Sequence, residues 1–138
     1  MIEIRELAIL DYDAVMTLWR ETPGVGLSAA DNREALAAYL LRNPGLSFAA
    51  WDGPRLVGAV LCGHDGRRGY LHHLAVAPAY RRQHVGSELA KRCMQCLRKC
   101  GVDKCHLFVY RNNVDAQLFW KNSGWAERLD LTLMSCTT

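Results

Sequence analysis

The chain has no long apolar run. Its longest uncharged apolar stretches, Ala35 to Leu41 and Leu56 to Gly63, fall far short of the roughly 20 residues that a membrane helix needs, so no span is expected. A secretory leader is also missing: Met1-Ile2-Glu3-Ile4-Arg5-Glu6 carries acids where such a signal has a basic and then an apolar region, which predicts a cytoplasmic location. No repeat and no low-complexity linker divides the sequence, so 1–138 reads as a single domain. At that length roughly 68–70% of the unfolded surface is expected to be buried, enough for one core without staples. Basic residues are present, but neither a nucleic-acid motif nor an aromatic stacking signature accompanies them, and no nucleic-acid partner is expected.

What is there is an ordinary globular balance of 50% hydrophobic and 22% charged residues. In a reducing compartment the six cysteines are free thiols. Cys93, Cys96 and Cys100 stand three and four apart and invite a metal reading. Zinc sites usually take four ligands, mostly from loops, whereas these thiols share a helical face with Leu89 and Leu97. They read as small hydrophobes, as do Cys62 and Cys105, and no metal is expected.

The net charge of +3 is unevenly spread: residues 1–69 carry 7 bases and 9 acids, residues 70–138 carry 10 and 5. Eight of those bases lie between Arg81 and Arg111, which suits a compact polyanionic partner.

Hydrophobic periodicity outlines the elements. Ile2 to Arg5 alternates as an opening strand, and Asp11 can cap a helix bearing Val15, Leu18 and Trp19. After the loop Thr22 to Leu27, Ser28 and Asp31 form a capping pattern for a second helix that runs to Asn43-Pro44-Gly45. Strands Ser47–Trp51 and Leu56–Cys62 are joined at Asp52-Gly53-Pro54. Strand Tyr70–Val76 leads to a helix Val85–Cys100, followed by strand Lys104–Tyr110, a helix Asn113–Asn122, and a closing strand or pair within Trp125–Cys136. This succession implies an α/β mixed sheet with helices on its faces. Simple alternation puts Tyr70, His72 and Leu74 on one side of their strand, and Leu71, His73 and Ala75 on the other.

The most informative stretch is Leu74-Ala75-Val76-Ala77-Pro78-Ala79-Tyr80-Arg81-Arg82-Gln83-His84-Val85-Gly86-Ser87. A strand passes through a short loop into a helix start, where backbone N–H groups converge at the positive end of the helix dipole. Arg81 and Arg82 add charge, and Gly86 permits close approach, so the segment can cradle phosphate.

The run Leu71 to Ser87 resembles motif A of the GNAT superfamily of acyl-CoA-dependent N-acetyltransferases. Its loop pattern is Arg or Gln, two residues, Gly, one residue, then Gly or Ala, which reads here as Arg81 to Gly86. Asn113-Val114-Asp115-Ala116-Gln117-Leu118-Phe119-Trp120-Lys121-Asn122-Ser123-Gly124-Trp125 is similar to the family's motif B. The resemblance implies a centrally splayed sheet of about six to seven strands flanked by about four helices, with acetyl-CoA as co-substrate in the gap between the strands at 70–76 and 104–110. It implies that Leu74, Ala75 and Val76 line the pantetheine, with a Val76 N–H as oxyanion donor. Arg81, Arg82, Gln83, His84, Val85, Gly86 and Ser87 would hold the diphosphate, with Asn113, Phe119 and Trp120 near the cofactor.

The chain departs from the family pattern at three points. His84 replaces a loop glycine at a position of positive φ, which His tolerates better than most residues. His72 stands on the strand where many members carry Glu, in a context similar to arylalkylamine branches that use imidazole there, and it is the expected base. Trp120 occupies the place of the tyrosine that protonates the leaving thiolate; indole cannot do so, and Tyr70 and Tyr110 are the substitute candidates. The implied activity is direct acetyl transfer to a primary amine of a small molecule or peptide, by a monomer or homodimer. The alternative is a CoA-binding sensor of the same fold that is catalytically weak or inactive. The acceptor would approach over Thr22 to Leu27, where Glu21 or Asp31 can attract an ammonium group.

Overall fold

A computed structural model describes residues 1–138. It separates into two compact units, Met1–Phe108 and Val109–Thr138. The first contains one five-stranded sheet in the order β1-β2-β3-β4-β5, formed by Ile2–Glu6, Phe48–Asp52, Arg55–His64, Gly69–Val76 and Cys105–Leu107. Neighbours run antiparallel until the last pair, where β4 and β5 are parallel.

Helix α1 (Tyr12–Arg20) buries Val15, Met16, Leu18 and Trp19. Asp11 does not cap it with its side chain; its Oδ2 accepts the Ala8 N–H and closes a 3-10 turn over Ile9–Asp11. The Ser28–Asp31 capping pair does form, but around a 3-10 turn at Ala29–Asp31, and Asn32 caps α2 (Arg33–Arg42) by accepting the Ala35 N–H. Helix α3 (Val85–Lys99) buries Val85, Leu89, Ala90, Cys93 and Leu97 and packs on β2, β3 and β4. Cys93 thus lies in the core, whereas Cys96 is half-buried and Cys100, at the end of the helix, is exposed.

The side-chain faces of the sheet follow from pairing. A Cβ at Gly58 would meet Leu89 and Val85, and one at Gly69 would meet Leu97, so these positions face α3. Their alternates on β3, including Leu61 and Gly63, face α1 and α2, as do their partners His72 and Tyr70. Pairing then slips: Ala59 opposes Ala75, but Leu61 opposes His72, so His73 and Leu74 together face Val60 alone. This is a β-bulge, and His73 adopts a left-handed φ of 57° within it. The bulge overturns the simple alternation. His73 and Ala75 are brought to the His72 side, because one extra residue reverses every side chain beyond it.

The second unit holds α4 (Val114–Asn122), capped by Asn113, whose Oδ1 accepts the Ala116 N–H at 3.1 Å. Trp120 is buried between Phe119 and Trp125, with ring centroids 5.0 and 5.1 Å away. The closing strand expected within Trp125–Cys136 does not form, and the sheet has five strands rather than six or seven. Leu129, Leu131 and Leu133 alternate as a strand would, but they are exposed and no ladder pairs them. Strand β5 is likewise shorter than its apolar pattern, pairing only Cys105–Leu107 with Gly69–Leu71.

Candidate active site

Because β5 leaves β4 after Leu71, residues 72–76 of β4 have a neighbour on one edge only, β3. His72 and His73 are the first residues beyond the parting. Leu74, Ala75 and Val76 follow along the freed edge, and the loop to α3 begins directly after them. The sheet is therefore splayed where the motif suggested.

The loop leaves backbone donors unpaired. Arg82 and His84 both take left-handed conformations, with φ of 61° and 64°, and His84 at the N-cap of α3 supplies no side-chain cap. The N–H groups of Val85, Gly86 and Ser87 donate to nothing within the chain. Three orphan donors at a helix start, on an exposed loop, fit a phosphate ligand. Arg81 folds back so that its Nε donates to the Val76 carbonyl at 3.1 Å, tying the loop to the strand end, and Gln83 Nε2 donates to Ala79 at 3.3 Å. The Arg82 side chain makes no hydrogen bond or ion pair.

The α1/α2 side of β4 carries a cluster of rings. Tyr70 and His72 are nearly parallel, 6.5 Å apart and 8° between planes, and Phe108 lies 6.3 and 6.4 Å from them. His106 is 5.8 Å from Tyr70, and Tyr39 from α2 meets His72 edge-on at 6.4 Å. Burial, reinforced by the neighbouring His73 and opposed by Asp31, holds the His72 imidazole below its ordinary pKa of 6.5. It is therefore neutral near pH 7, and neither of its nitrogens is bonded by the protein. Tyr39 is pushed well above the usual phenol range, first by burial and then by Cys62, and its hydroxyl is sealed without a partner. The thiols here are inert: Cys93, which donates to the Leu46 carbonyl at 3.3 Å, is pushed up by hydrogen bonding with the free thiol of Cys62 and by burial, and burial raises Cys105 to about 12.

Beside His72 stands a pair that the sequence did not announce. His73 Nε2 is 2.8 Å from Asp31 Oδ1, the imidazole half-buried and the carboxylate buried. The indole of Trp19 donates to the His73 carbonyl at 2.8 Å and meets the His73 ring edge-on at 5.0 Å. Asp31 thus turns inward to His73. It is not free to attract an ammonium group, and only an understanding of the bulge would have linked the two residues.

Among the other expected residues, Tyr70 lies in the ring cluster. Tyr110, Asn113, Phe119 and Trp120 belong to the second unit, where Asn113 caps α4, Trp120 packs against aromatics and Tyr110 is exposed.

A strand parted from its neighbour, continuing into a helix with unfilled amide donors and flanked by imidazoles, defines an acyl-transfer type of site. Residues 12–125 match the profile of the acetyltransferase (GNAT) family. An acetyltransferase of Pectobacterium atrosepticum is 32% identical over 136 residues, spanning 99% of this chain and 92% of its own. Among solved structures, the PaiA N-acetyltransferase of Thermoplasma acidophilum in complex with coenzyme A is similar with a TM-score of 0.73 at 23% identity, covering 88% of each chain. The ribosomal-protein-S18-alanine N-acetyltransferase of Escherichia coli gives 0.75 at 22%, covering 93% of this chain and 79% of its own. The chain belongs to the GNAT family of acetyltransferases.

Proposed function

We propose that the protein moves acetyl from acetyl-CoA directly to a primary amine, as a single domain in the cytoplasm. The observation that carries this reading is the set of unbonded amides at Val85–Ser87, directly beyond the released edge of β4. In this assignment Arg81 to Ser87 hold the diphosphate, and Leu74 to Val76 line the pantetheine arm. Asn113, Phe119 and Trp120 are further cofactor contacts, and Tyr70 or Tyr110 returns a proton to the thiolate. Both β4 imidazoles stand directly beyond the point where β5 leaves β4, and an imidazole there can take the proton that an ammonium acceptor must lose before it attacks. His72, the residue favoured by the strand context, is held neutral and able to accept.

The PaiA N-acetyltransferase is in complex with coenzyme A, which supports the same ligand class here. Calorimetric titration with acetyl-CoA should show saturable binding, and adding a suitable amine from a panel should release free thiol. Indifference to millimolar acetyl-CoA would remove the reading. Binding without thiol release for every amine tried would favour the sensor instead.

A further inference from the structure

We propose that His73, held by Asp31, rather than His72, is the base that removes the acceptor's proton; this rests on the amine-acetylation reading above. Both oxygens of Asp31 accept hydrogen bonds, Oδ2 from the Ser28 N–H at 3.0 Å and Oδ1 from His73 at 2.8 Å. A carboxylate has no proton to give, so Nε2 of His73 carries the hydrogen, and in the neutral ring the lone pair is on Nδ1. Nδ1 has no protein partner and is not sealed from solvent. The ring is therefore fixed in one tautomer with its basic nitrogen open.

Its backbone is fixed as well. A non-glycine residue with φ of 57° is sparsely populated, and here the bulge, the Trp19 bond to its carbonyl and the Asp31 bond to its ring together hold it. Asp31 is in turn anchored, since its carbonyl accepts the Tyr12 hydroxyl at 2.8 Å. His72 has none of this: no hydrogen bond selects its tautomer, and its contacts are rings. The titratable groups around His73 are Asp31, His72 and, through the Asp31 carbonyl, Tyr12.

In the step itself, the ammonium N–H bond breaks and its proton passes to His73 Nδ1, directly or through one water. The freed amine lone pair then forms the C–N bond as the thioester C–S bond breaks; the nitrogen gives up its second proton as the neutral amide forms, and the leaving thiolate takes up one proton to give free CoA. The imidazolium returns its proton to solvent.

The test uses the full chain. Long-range ¹H–¹⁵N spectra near neutral pH should show His73 as the Nε2–H tautomer, and Asp31→Asn should abolish that preference. The opposite tautomer in the wild type overturns the proposal. His73→Asn suits the left-handed backbone, so folding and acetyl-CoA binding should persist while kcat/KM for n-butylamine or a peptide N-terminus falls about 10²- to 10⁴-fold and loses its acid limb. Hydroxylamine, already unprotonated at neutral pH, needs no base, so its turnover should fall less than tenfold. An acid limb that disappears in His72→Asn and survives in His73→Asn assigns the base to His72 and overturns the proposal. A His73→Asn enzyme within threefold of wild type with that limb intact sinks the assignment. A wild type that turns over no amine at all sinks the proposed function and this step with it.

Discussion

His72 shows how a single ring couples local burial to pH. Above its ordinary pKa the folded and unfolded chains both carry it neutral, and the protein has its full stability. As pH falls through about 6.5, the unfolded chain takes up a proton that the folded site resists, since burial holds the folded value lower. Stability is therefore lost progressively on acidification toward the folded pKa. The melting temperature should decline between about pH 7 and pH 5. His72→Phe, which keeps an aromatic ring beside Tyr70 and Phe108, should make that decline shallower. Parallel slopes for the two proteins would assign the acid sensitivity elsewhere.

At the scale of elements, the seam between β4 and α3 leaves no room for a side chain at Gly69. A Cβ there would come 2.5 Å from Leu97 Cδ1, so this buried side chain of α3 would have to shift within the core to admit it. Gly69→Ala should cost about 1–3 kcal/mol in denaturant unfolding by overpacking this seam. Wild-type stability in the variant would mean that α3 is free to shift. Most elements were legible from periodicity alone, because α3 and β2 to β4 each bury residues at the spacing their geometry requires. The conformation of the loop between β4 and α3 was legible too, down to the left-handed turn at His84, because its motif is local. The bulge at His73 was not: it exists only in the register between β3 and β4, which no single strand's pattern encodes. Leu129, Leu131 and Leu133 show the converse error, since alternation marks a capacity to pair and the partner decides whether a strand forms.

The whole molecule adds its charge distribution. The surplus of bases in the second half of the sequence follows directly on the amides that would meet a diphosphate. The segment Val109–Thr138 is shorter than the roughly 40 residues that usually fold without staples, so a single cooperative transition for the whole chain is the expected calorimetric result. Acetyl-CoA that binds only the folded chain should raise that transition. At a hundredfold excess over Kd the gain is about 2.7 kcal/mol, or several degrees for a chain of this size. Part of the affinity is electrostatic, so raising NaCl from 0.05 to about 0.5 M should shrink the upshift through screening. Arg82, exposed and unbonded, is the cleanest probe, because Arg82→Ala removes a charge without breaking an internal contact. It should weaken acetyl-CoA binding about three- to thirtyfold, as expected for one charge-assisted contact, and flatten the salt dependence while leaving the melting temperature of the free protein unchanged. Binding that ignores both salt and Arg82 would mean that the diphosphate lies away from this loop.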